Sequence, residues 1–469
     1  YCASLLTGKI SVAKNGYGFL IQDNDEEDIF IGRDNLNGAI NDDIVLVDIF
    51  TRNNKIEGKV IKILERKLTR VIGTIKYIDN KLNIILDDKK LDIDIKLVNH
   101  FNNLVDGHKV LVELTKQISE KRFIGTIIKI IGHINDPEID ILTIAYKYGI
   151  ELDFSEEVKK ELLSIPSVVR DADKSGRVDL TREVIFTIDG DDTKDIDDAI
   201  SIKKLDNYYE LGVHIADVTY YVRPGSEIYK AAYERGTSSY LADTVIPMIP
   251  HELSNGICSL NPGVERLAIS CIMKINIEGK IVDYDIFPSV IKSRKQMTYK
   301  NVNKLFLEGI VADGYEEFKK ELLQMQELAE ILRKRKIKEG YIEFNIPEVK
   351  IIQDEKGKCI DIVKREQLAG EKLIEDFMIA ANETIATHIY NMGLPFIYRI
   401  HGTPKSEKIT DFLNLLKQLN INVNTRNIDT SSKGMQRLLK DISGLDESSI
   451  LSSMLLRSMQ KAIYSSDNI

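Results

Sequence analysis

This sequence of 469 residues is poor in cysteine and has no long apolar run. Its four cysteines show neither a CxxC pair nor metal-ligand spacing, which argues against a disulfide framework and predicts reduced thiols in a cytoplasmic protein. His214 and His401 also lack metal-ligand spacing, so we expect both to be structural. No apolar run approaches the ~18 residues of a membrane span, and the first residues lack the apolar core of a signal peptide.

A basic surplus is missing as well. The formal net charge is −9, with 64 Lys and Arg against 73 Asp and Glu. This balance argues against a protein that wraps nucleic acid by bulk electrostatics alone, although it allows a channel whose local charge is positive. A hydrophobic content of 43% and a charged content of 29% are typical of a soluble globular protein.

The most informative stretch is an aspartate-rich segment, residues 187–199, which reads TIDGDDTKDIDDA. The β-branched and aromatic residues of 184–188 predict a buried strand before it, and Gly190 permits a turn. Asp195 and Asp197 alternate, so we expect them on one side of an extended segment, with Asp198 turned away or onto a bend.

These carboxylates need neutralisation if the fold brings them together. Two carboxylates about 4 Å apart repel by roughly 4 kcal/mol at an effective dielectric of about 20. Protons or hard divalent cations such as magnesium relieve that repulsion. An EF-hand is excluded, because a loop counted from Asp189 has Lys194 and Ile200 where Gly and Glu are required. From the residues alone, a solvated acidic loop stays the alternative.

The same segment resembles the signature of the ribonuclease II and ribonuclease R exoribonucleases, in their RNB domain. The resemblance continues through HIADVTYYVRPGS (214–226), RGTSSYLADTVIPMIPHELSNGICSLNPGVER (235–266) and LLRSMQKAIY (455–464). Gly190 and the wording of 235–266 are more similar to ribonuclease R. The resemblance implies a processive, magnesium-dependent 3′-to-5′ exoribonuclease that hydrolyses RNA to nucleoside 5′-monophosphates.

The expected fold class is an α+β RNB catalytic domain preceded by two all-β, OB-type cold-shock barrels. Residues 1–66 read as about five short strands separated by turns, which fits an OB-type barrel. Residues 67–150 repeat that style, and we expect a second cold-shock-like barrel there. Residues 151–469 carry the RNB region, whose strands and helices alternate too irregularly for a doubly wound sheet.

Helix boundaries are marked clearly in this region. Ser155 is a predicted N-cap, and a helix is expected from Ser226 to about Arg235, with Gly236 after it. Residues 315–338 and about 370–390 are predicted helices, the first of them ending at Gly340. In the predicted helix over 315–338, apolar residues recur at spacings of three and four. This spacing predicts a buried stripe: Phe318, Leu322, Met325, Leu328 and Leu332.

The resemblance also assigns roles to single residues. Its catalytic and metal-binding carboxylates fall on Asp189, Asp195, Asp197 and Asp198. Of these, Asp197 either binds metal or orients the terminal ribose hydroxyl. Its RNA-contacting positions fall on Tyr240, Tyr299, Phe344 and Glu375. The alternatives are core packing for the three aromatic residues and a surface helix charge for Glu375.

Residues 14–20 and 28–31 resemble the RNA-binding strands of a cold-shock domain. The stacking residues would be Tyr17, Phe19 and Phe30, and stacking on a base contributes about 1–3 kcal/mol. The alternative is that these rings only fill the barrel core. The densest basic run, 333–338, is predicted to be a solvated helix terminus, with a phosphate track as the second interpretation.

The resemblance has one departure. The family continues past the position of Ile469 into a segment with a catalytic arginine and then a further OB domain, so we expect this chain to be a fragment. The expected partners are 3′ ends of single-stranded RNA and structured RNA with a 3′ overhang, bound by a monomer away from membranes. The second hypothesis is an RNA-binding module without catalysis, and a DNA nuclease is the third.

Overall fold

The computed structural model describes residues 5–13, 15–22, 27–52, 55–79, 81–89, 91, 93–99, 101, 103–119, 121–241, 244–344, 348–354, 359–365, 367–421, 423 and 430–468. They form two compact units. The N-terminal unit holds the described residues up to Asp153, together with Tyr240, Leu241, Thr244 and Asp354. The second unit holds the other described residues from Phe154 onward.

A closed barrel opens the N-terminal unit. Its strands run in the order β1-β2-β3-β5-β4. They are β1 (Leu5–Val12), β2 (Gly18–Ile21), β3 (Ile29–Ile31), β4 (Ile44–Arg52) and β5 (Lys55–Glu65). Alternating residues point inward and fill the barrel with buried aliphatic side chains, among them Ile10, Leu20, Ile31, Val45 and Val60.

A five-stranded sheet with the order β7-β6-β9-β10-β8 completes the all-β part. Its strands are β6 (Arg70–Ile78), β7 (Lys81–Leu86), β8 (Asp94–Leu97), β9 (His108–Ser119) and β10 (Arg122–His133), followed by helix α1 (Ile139–Lys147). Arg66 links sheet and barrel, because its Nη2 donates to the Gly38 carbonyl at 3.2 Å and to Gln117 Oε1 at 2.7 Å.

From Phe154 onward, helices and strands mix. The elements are α2 (Glu156–Leu162), β11 (Val178–Asp179), β12 (Thr187–Asp189), β13 (Asp198–Lys204), β14 (Tyr208–Ala216), α3 (Val218–Tyr221), α4 (Glu227–Arg235), β15 (Ser239–Leu241), β16 (Thr244–Ile246), β17 (Glu265–Asn276), β18 (Ile281–Lys292), β19 (Gln296–Thr298), α5 (Tyr299–Glu308), α6 (Lys319–Glu339), β20 (Glu348–Gln353), β21 (Cys359–Arg365), α7 (Ala369–Asn391), β22 (Tyr398–Ile400), α8 (Ser406–Gln418), α9 (Ser432–Ile442), α10 (Ser448–Ser458) and β23 (Ile463–Ser465).

A mixed sheet with the order β11-β18-β17-β14-β13 forms the centre of the second unit. Helices α6 and α7 contribute to the same hydrophobic core as β13, β14 and β17. The predicted apolar stripe of α6 is confirmed, since all of its members are buried in that core. The helix begins at Lys319, later than predicted, because Glu316–Phe318 form a 3-10 turn. It ends as predicted at Gly340, whose φ of 108° suits a residue without a Cβ.

The other predicted helix boundaries are also confirmed. The hydroxyl of Ser155 accepts from the Val158 amide at 3.3 Å and caps α2. The hydroxyl of Ser226 caps α4 in the same way, and Gly236 follows its last turn with a positive φ.

No described helix is both long enough and apolar enough to span a membrane. The predicted reduced thiols are found at Cys258, Cys271 and Cys359, which are free. Cys2 lies outside the described residues.

Candidate active site

Two short strands bring aspartates to one place. Asp189 is the last residue of β12, which pairs in parallel with β19, and Asp198 is the first residue of β13. An isolated bridge between Phe186 and Ile200 joins the chain just before β12 to β13. The two strands therefore run side by side, and the aspartate-rich loop connects them.

The Ser259 side chain and the Leu260 backbone hold one side of this loop by hydrogen bonds. Ser259 Oγ accepts from the Ile196 amide at 3.1 Å and donates to the Lys194 carbonyl at 2.7 Å. The Leu260 amide donates to the Ile196 carbonyl at 2.9 Å, and Ile196 is fully buried. Ser259 thus sets the path of the chain through Asp195 and Asp197. Sequence reasoning missed this role, although Ser259 lies within the 235–266 segment that carries the resemblance.

The carboxylates raise one another's pKa. Burial and the charges of Asp198, Asp197 and Asp195 raise the pKa of Asp189 to about 7. Burial and the charge of Asp197 raise the pKa of Asp198 to about 6. Asp197 is exposed, but the surrounding protein displaces part of the water around its carboxylate. This desolvation and the charge of Asp195 raise the pKa of Asp197. Asp198 begins a strand and so does not lie on a bend, and its charge affects Asp189 more than that of any other aspartate.

The loop tip behaves differently. Asp191 and Asp192 are exposed and are therefore solvated loop carboxylates. The predicted turn at Gly190 is present, because its carbonyl accepts from the Thr193 amide at 3.3 Å. Two of the six aspartates thus lie apart from the repelling group.

Tyr299 joins the carboxylates from α5. Its ring is half-buried against the central core, and its pKa is raised by burial and by the charges of Asp189 and Asp198. Thr298 caps this helix by accepting from the Asn301 amide at 3.4 Å. The structure therefore brings Tyr299 together with the aspartates, with its phenol among acidic groups.

The donor set suits a hard divalent cation. In the described part of the chain, no three or more His, Cys, Asp or Glu side chains are gathered closely enough to hold a metal ion as they stand. However, Asp189 Oδ2 is buried and has no hydrogen-bond partner, an arrangement that costs free energy unless a proton or cation satisfies it. Ligands that are all oxygen atoms fit a hard divalent cation such as magnesium better than a softer metal.

Glu375 lies on α7, half-buried, and Tyr341 Oη donates to its Oε1 at 2.9 Å. The next residue, Asp376, is buried and binds Arg333 Nε at 2.9 Å and Lys336 Nζ at 3.0 Å. The prediction that the basic run is a solvated terminus is wrong for Arg333 and Lys336, because a carboxylate on a neighbouring helix pairs with both.

The remaining aromatic candidates occupy different surroundings. Phe344 is half-buried and packs against the core of α8, α9 and α10, which agrees with its structural alternative. Tyr240, on β15, is 70% exposed and so does not fill a core. It belongs to the N-terminal unit.

Three rings cluster on the outside of the barrel. Tyr17, Phe19 and Phe30 lie with ring centroids 5.7 Å apart in every pair. None of them belongs to the buried barrel core, and Phe30 is 37% exposed. The alternative that they only fill the barrel is therefore not supported.

Three family models match successive parts of the chain. The RNB domain family matches residues 177–469, the Ribonuclease B OB domain matches 8–63 and the Cold shock domain matches 84–155. Ribonuclease R of Thermotoga maritima is 41% identical over 99% of this chain. The chain belongs to the ribonuclease R family. It covers 66% of the length of that relative.

Solved structures of the family and its fold agree. Ribonuclease R of Mycoplasma genitalium in complex with ribose-methylated single-stranded RNA superposes with a TM-score of 0.92 at 26% identity, over 99% of this chain and 74% of that one. Yeast Ssd1, a pseudonuclease, shares the fold with a TM-score of 0.71 at 16% identity, over 98% of this chain and 64% of that one. The fold class predicted for this ribonuclease R family member is confirmed, and the boundaries at residues 66 and 150 stay predictions.

Proposed function

We propose that this protein is a divalent-metal-dependent exoribonuclease that degrades RNA processively from its 3′ end to nucleoside 5′-monophosphates. The observation that carries the proposal is the pairing of Asp189 with Asp198, two carboxylates whose pKa values are raised at the ends of adjoining strands. A folded protein keeps such repulsion where the charges serve a site. Membership of the ribonuclease R family supports the same activity.

The reaction is hydrolysis of the last phosphodiester bond. Water adds to phosphorus, the bond from phosphorus to the O3′ of the penultimate nucleotide breaks, and one proton of the water ends on that O3′. The terminal nucleotide leaves with its 5′-phosphate. Asp189, Asp195, Asp197 and Asp198 would hold magnesium, which when bound supplies positive charge to stabilise the phosphoryl transition state. Ser259 fixes the loop that carries two of these carboxylates, and so limits the reorganisation needed during reaction.

The other predicted residues would grip the RNA. We assign Tyr240, Tyr299 and the accessible part of the half-buried Phe344 ring to contacts with the last nucleotides, and Glu375 to a polar contact with the strand. The partly exposed ring cluster of Tyr17, Phe19 and Phe30 offers a stacking platform for unpaired bases. Substrates would then be single-stranded 3′ ends, including the 3′ overhangs of structured RNA, in the cytoplasm, and we expect a monomer.

The direct test uses uniformly labelled single-stranded RNA with and without magnesium. Labelled mononucleotides should appear only with magnesium, and Asp197→Asn should stop their release while RNA binding persists. Release of mononucleotides in EDTA, or unchanged cleavage by Asp197→Asn, would contradict the assignment of the site. An RNA blocked at its 3′ end should resist degradation, whereas one blocked at its 5′ end should not.

An RNA-binding protein without catalysis is the second candidate. It is favoured by one observation, that no metal-ready group of acidic side chains exists among the described residues. The same assay separates the two, because this candidate predicts RNA binding without mononucleotides at any magnesium concentration.

A further inference from the structure

Tyr341 stands where α6 ends and the chain turns back. Its amide donates to the Lys336 carbonyl at 3.0 Å, directly after the positive-φ residue Gly340. The Tyr341 carbonyl accepts a hydrogen bond from Gln436 Nε2 at 2.8 Å. The side-chain amide of Gln436 also donates to the Ile337 carbonyl at 2.9 Å. The backbone of Tyr341 is thus fixed to α6 on one side and to α9 on the other.

The Tyr341 side chain is fixed as well. Its hydroxyl donates to Glu375 Oε1 at 2.9 Å, and burial together with this hydrogen bond raises the pKa of Tyr341 to about 12. Lys336 Nζ lies 4.2 Å from the centre of the ring, within the range of a cation–π interaction. The phenol therefore stays protonated near neutral pH and remains a donor.

Glu375 depends on this donor. The adjacent Asp376 takes the hydrogen bonds of Arg333 and Lys336, so these nearby cations are already engaged. Among the described residues, the Tyr341 hydroxyl is the hydrogen-bond donor to the Glu375 side chain. The contact engages Oε1 and leaves Oε2 to accept another hydrogen bond.

We propose that Tyr341 is a positioning residue for Glu375, which it holds in the rotamer that accepts a hydrogen bond from RNA. This inference rests on the proposed function. Phosphate oxygens carry no proton at neutral pH, so the group that donates to Glu375 Oε2 is a sugar hydroxyl or a base N–H. A rotamer fixed before binding lowers the entropy cost of the contact, so Tyr341 acts on affinity rather than on the chemical step.

A double-mutant cycle tests this role. Tyr341→Phe, Glu375→Ala and the double variant are compared by their dissociation constants for a 5′-fluorescein-labelled oligoadenylate, all in an Asp197→Asn background that prevents cleavage. Tyr341→Phe should weaken binding about 3- to 10-fold, the effect of one lost hydrogen bond. In the Glu375→Ala background the same change should have no effect, because its partner is gone.

Tyr284→Phe is the matched control. It removes a tyrosine hydroxyl from the same unit, one whose hydrogen-bond partner among the described residues is His388 Nδ1 at 3.2 Å. We expect its dissociation constant to equal that of the parent. With cleavage-competent protein, Tyr341→Phe should raise KM by the same factor as the dissociation constant and leave kcat nearly unchanged.

Each contrary result has a separate meaning. Equal weakening by Tyr341→Phe with and without Glu375 would overturn the proposal, as would a Tyr341→Phe protein that fails to fold, since the hydroxyl would then be a folding element. Glu375→Ala with unchanged affinity would remove the RNA contact and the proposal with it. None of these results bears on whether the parent protein releases mononucleotides, so failure of the proposed function is detected separately.

Discussion

Asp198 is the charged group that most strongly raises the pKa of Asp189, and the two carboxylates repel each other from the ends of adjoining strands. The repulsion predicts a gain in stability when one charge is removed. Asp198→Asn should stabilise the metal-free protein at neutral pH by about 1–3 kcal/mol, because its own carboxyl has a strongly raised pKa. Urea unfolding in EDTA measures the gain, and RNA cleavage should be lost in the same variant.

Asp191→Asn is the control for that experiment. It removes one negative charge from the exposed loop tip, where the side chain lies in solvent. Its unfolding free energy should stay within about 0.5 kcal/mol of the parent. An equal gain in both variants would mean that net charge, rather than the contact with Asp189, controls stability.

Magnesium should stabilise the folded protein through the same carboxylates. A ligand at one hundred times its dissociation constant adds about 2.7 kcal/mol to the unfolding free energy. We expect the melting temperature to rise with magnesium in the parent and in Asp191→Asn, and to rise much less in Asp189→Asn. The readout is thermal unfolding without RNA. A rise of the same size in Asp189→Asn would place the cation elsewhere.

Ser259→Ala should disturb the loop without touching a carboxylate. It leaves the Ile196 amide and the Lys194 carbonyl without their side-chain partner, which costs about 1–3 kcal/mol of stability. Because Asp195 and Asp197 then lose their fixed position, kcat should fall by about 10-fold or more while KM changes little. Urea unfolding and steady-state cleavage of single-stranded RNA measure the two effects.

Ser254→Ala supplies the comparison. Among the described residues, this hydroxyl donates to Asn255 Oδ1 at 3.3 Å and takes no part in the hydrogen bonds of the loop. Both kcat and the unfolding free energy should match those of the parent. If Ser259→Ala also matched the parent, the loop would be held by its backbone contacts alone.

His214 predicts an acid-dependent loss of stability. The ring is buried between Ser201 Oγ at 3.1 Å and Ser270 Oγ at 2.7 Å, and burial lowers its pKa to about 3. An unfolded histidine binds a proton below about pH 6.5, so the unfolded state gains relative to the folded state as the pH falls from there toward 3. Between about pH 7 and about pH 5 the parent should lose roughly 2 kcal/mol from this residue.

His214→Gln isolates that contribution. Glutamine does not titrate in this range and offers groups that hydrogen-bond to both serines. The difference in unfolding free energy between the parent and the variant should therefore change by the stated amount over the stated pH range. A difference that stays constant with pH would show that the ring is already protonated in the fold, or accessible to protons there.

Much of this arrangement was predictable because it is local. Helix caps such as Ser155, the end of α6 at Gly340 and its buried stripe follow from residues a few positions apart, and each is confirmed. The strand before the aspartates was placed too early, because Val184 is exposed and β12 begins at Thr187. Local alternation also allowed a bend at Asp198, whereas β13 starts at that residue and runs beside the preceding strand.

Contacts between distant segments were not predictable in this way. The residues near Arg333 in the sequence do not indicate that Asp376 lies beside it. The basic run was therefore predicted to be solvated, from its local charge alone. Ser259 was overlooked for the same reason, since its partners Lys194 and Ile196 belong to a segment far from it in the chain. Both errors concern single polar side chains whose partners only the tertiary fold supplies.

The equal spacing of the Tyr17, Phe19 and Phe30 rings has a consequence for how these residues can change during evolution. Each ring contacts the other two. A smaller side chain at one position would therefore remove a packing contact from both of the other rings. Substitutions at these sites would then be tolerated together rather than singly. During evolution the three aromatic residues would be kept or lost together, while the aliphatic residues of the barrel interior changed independently of them.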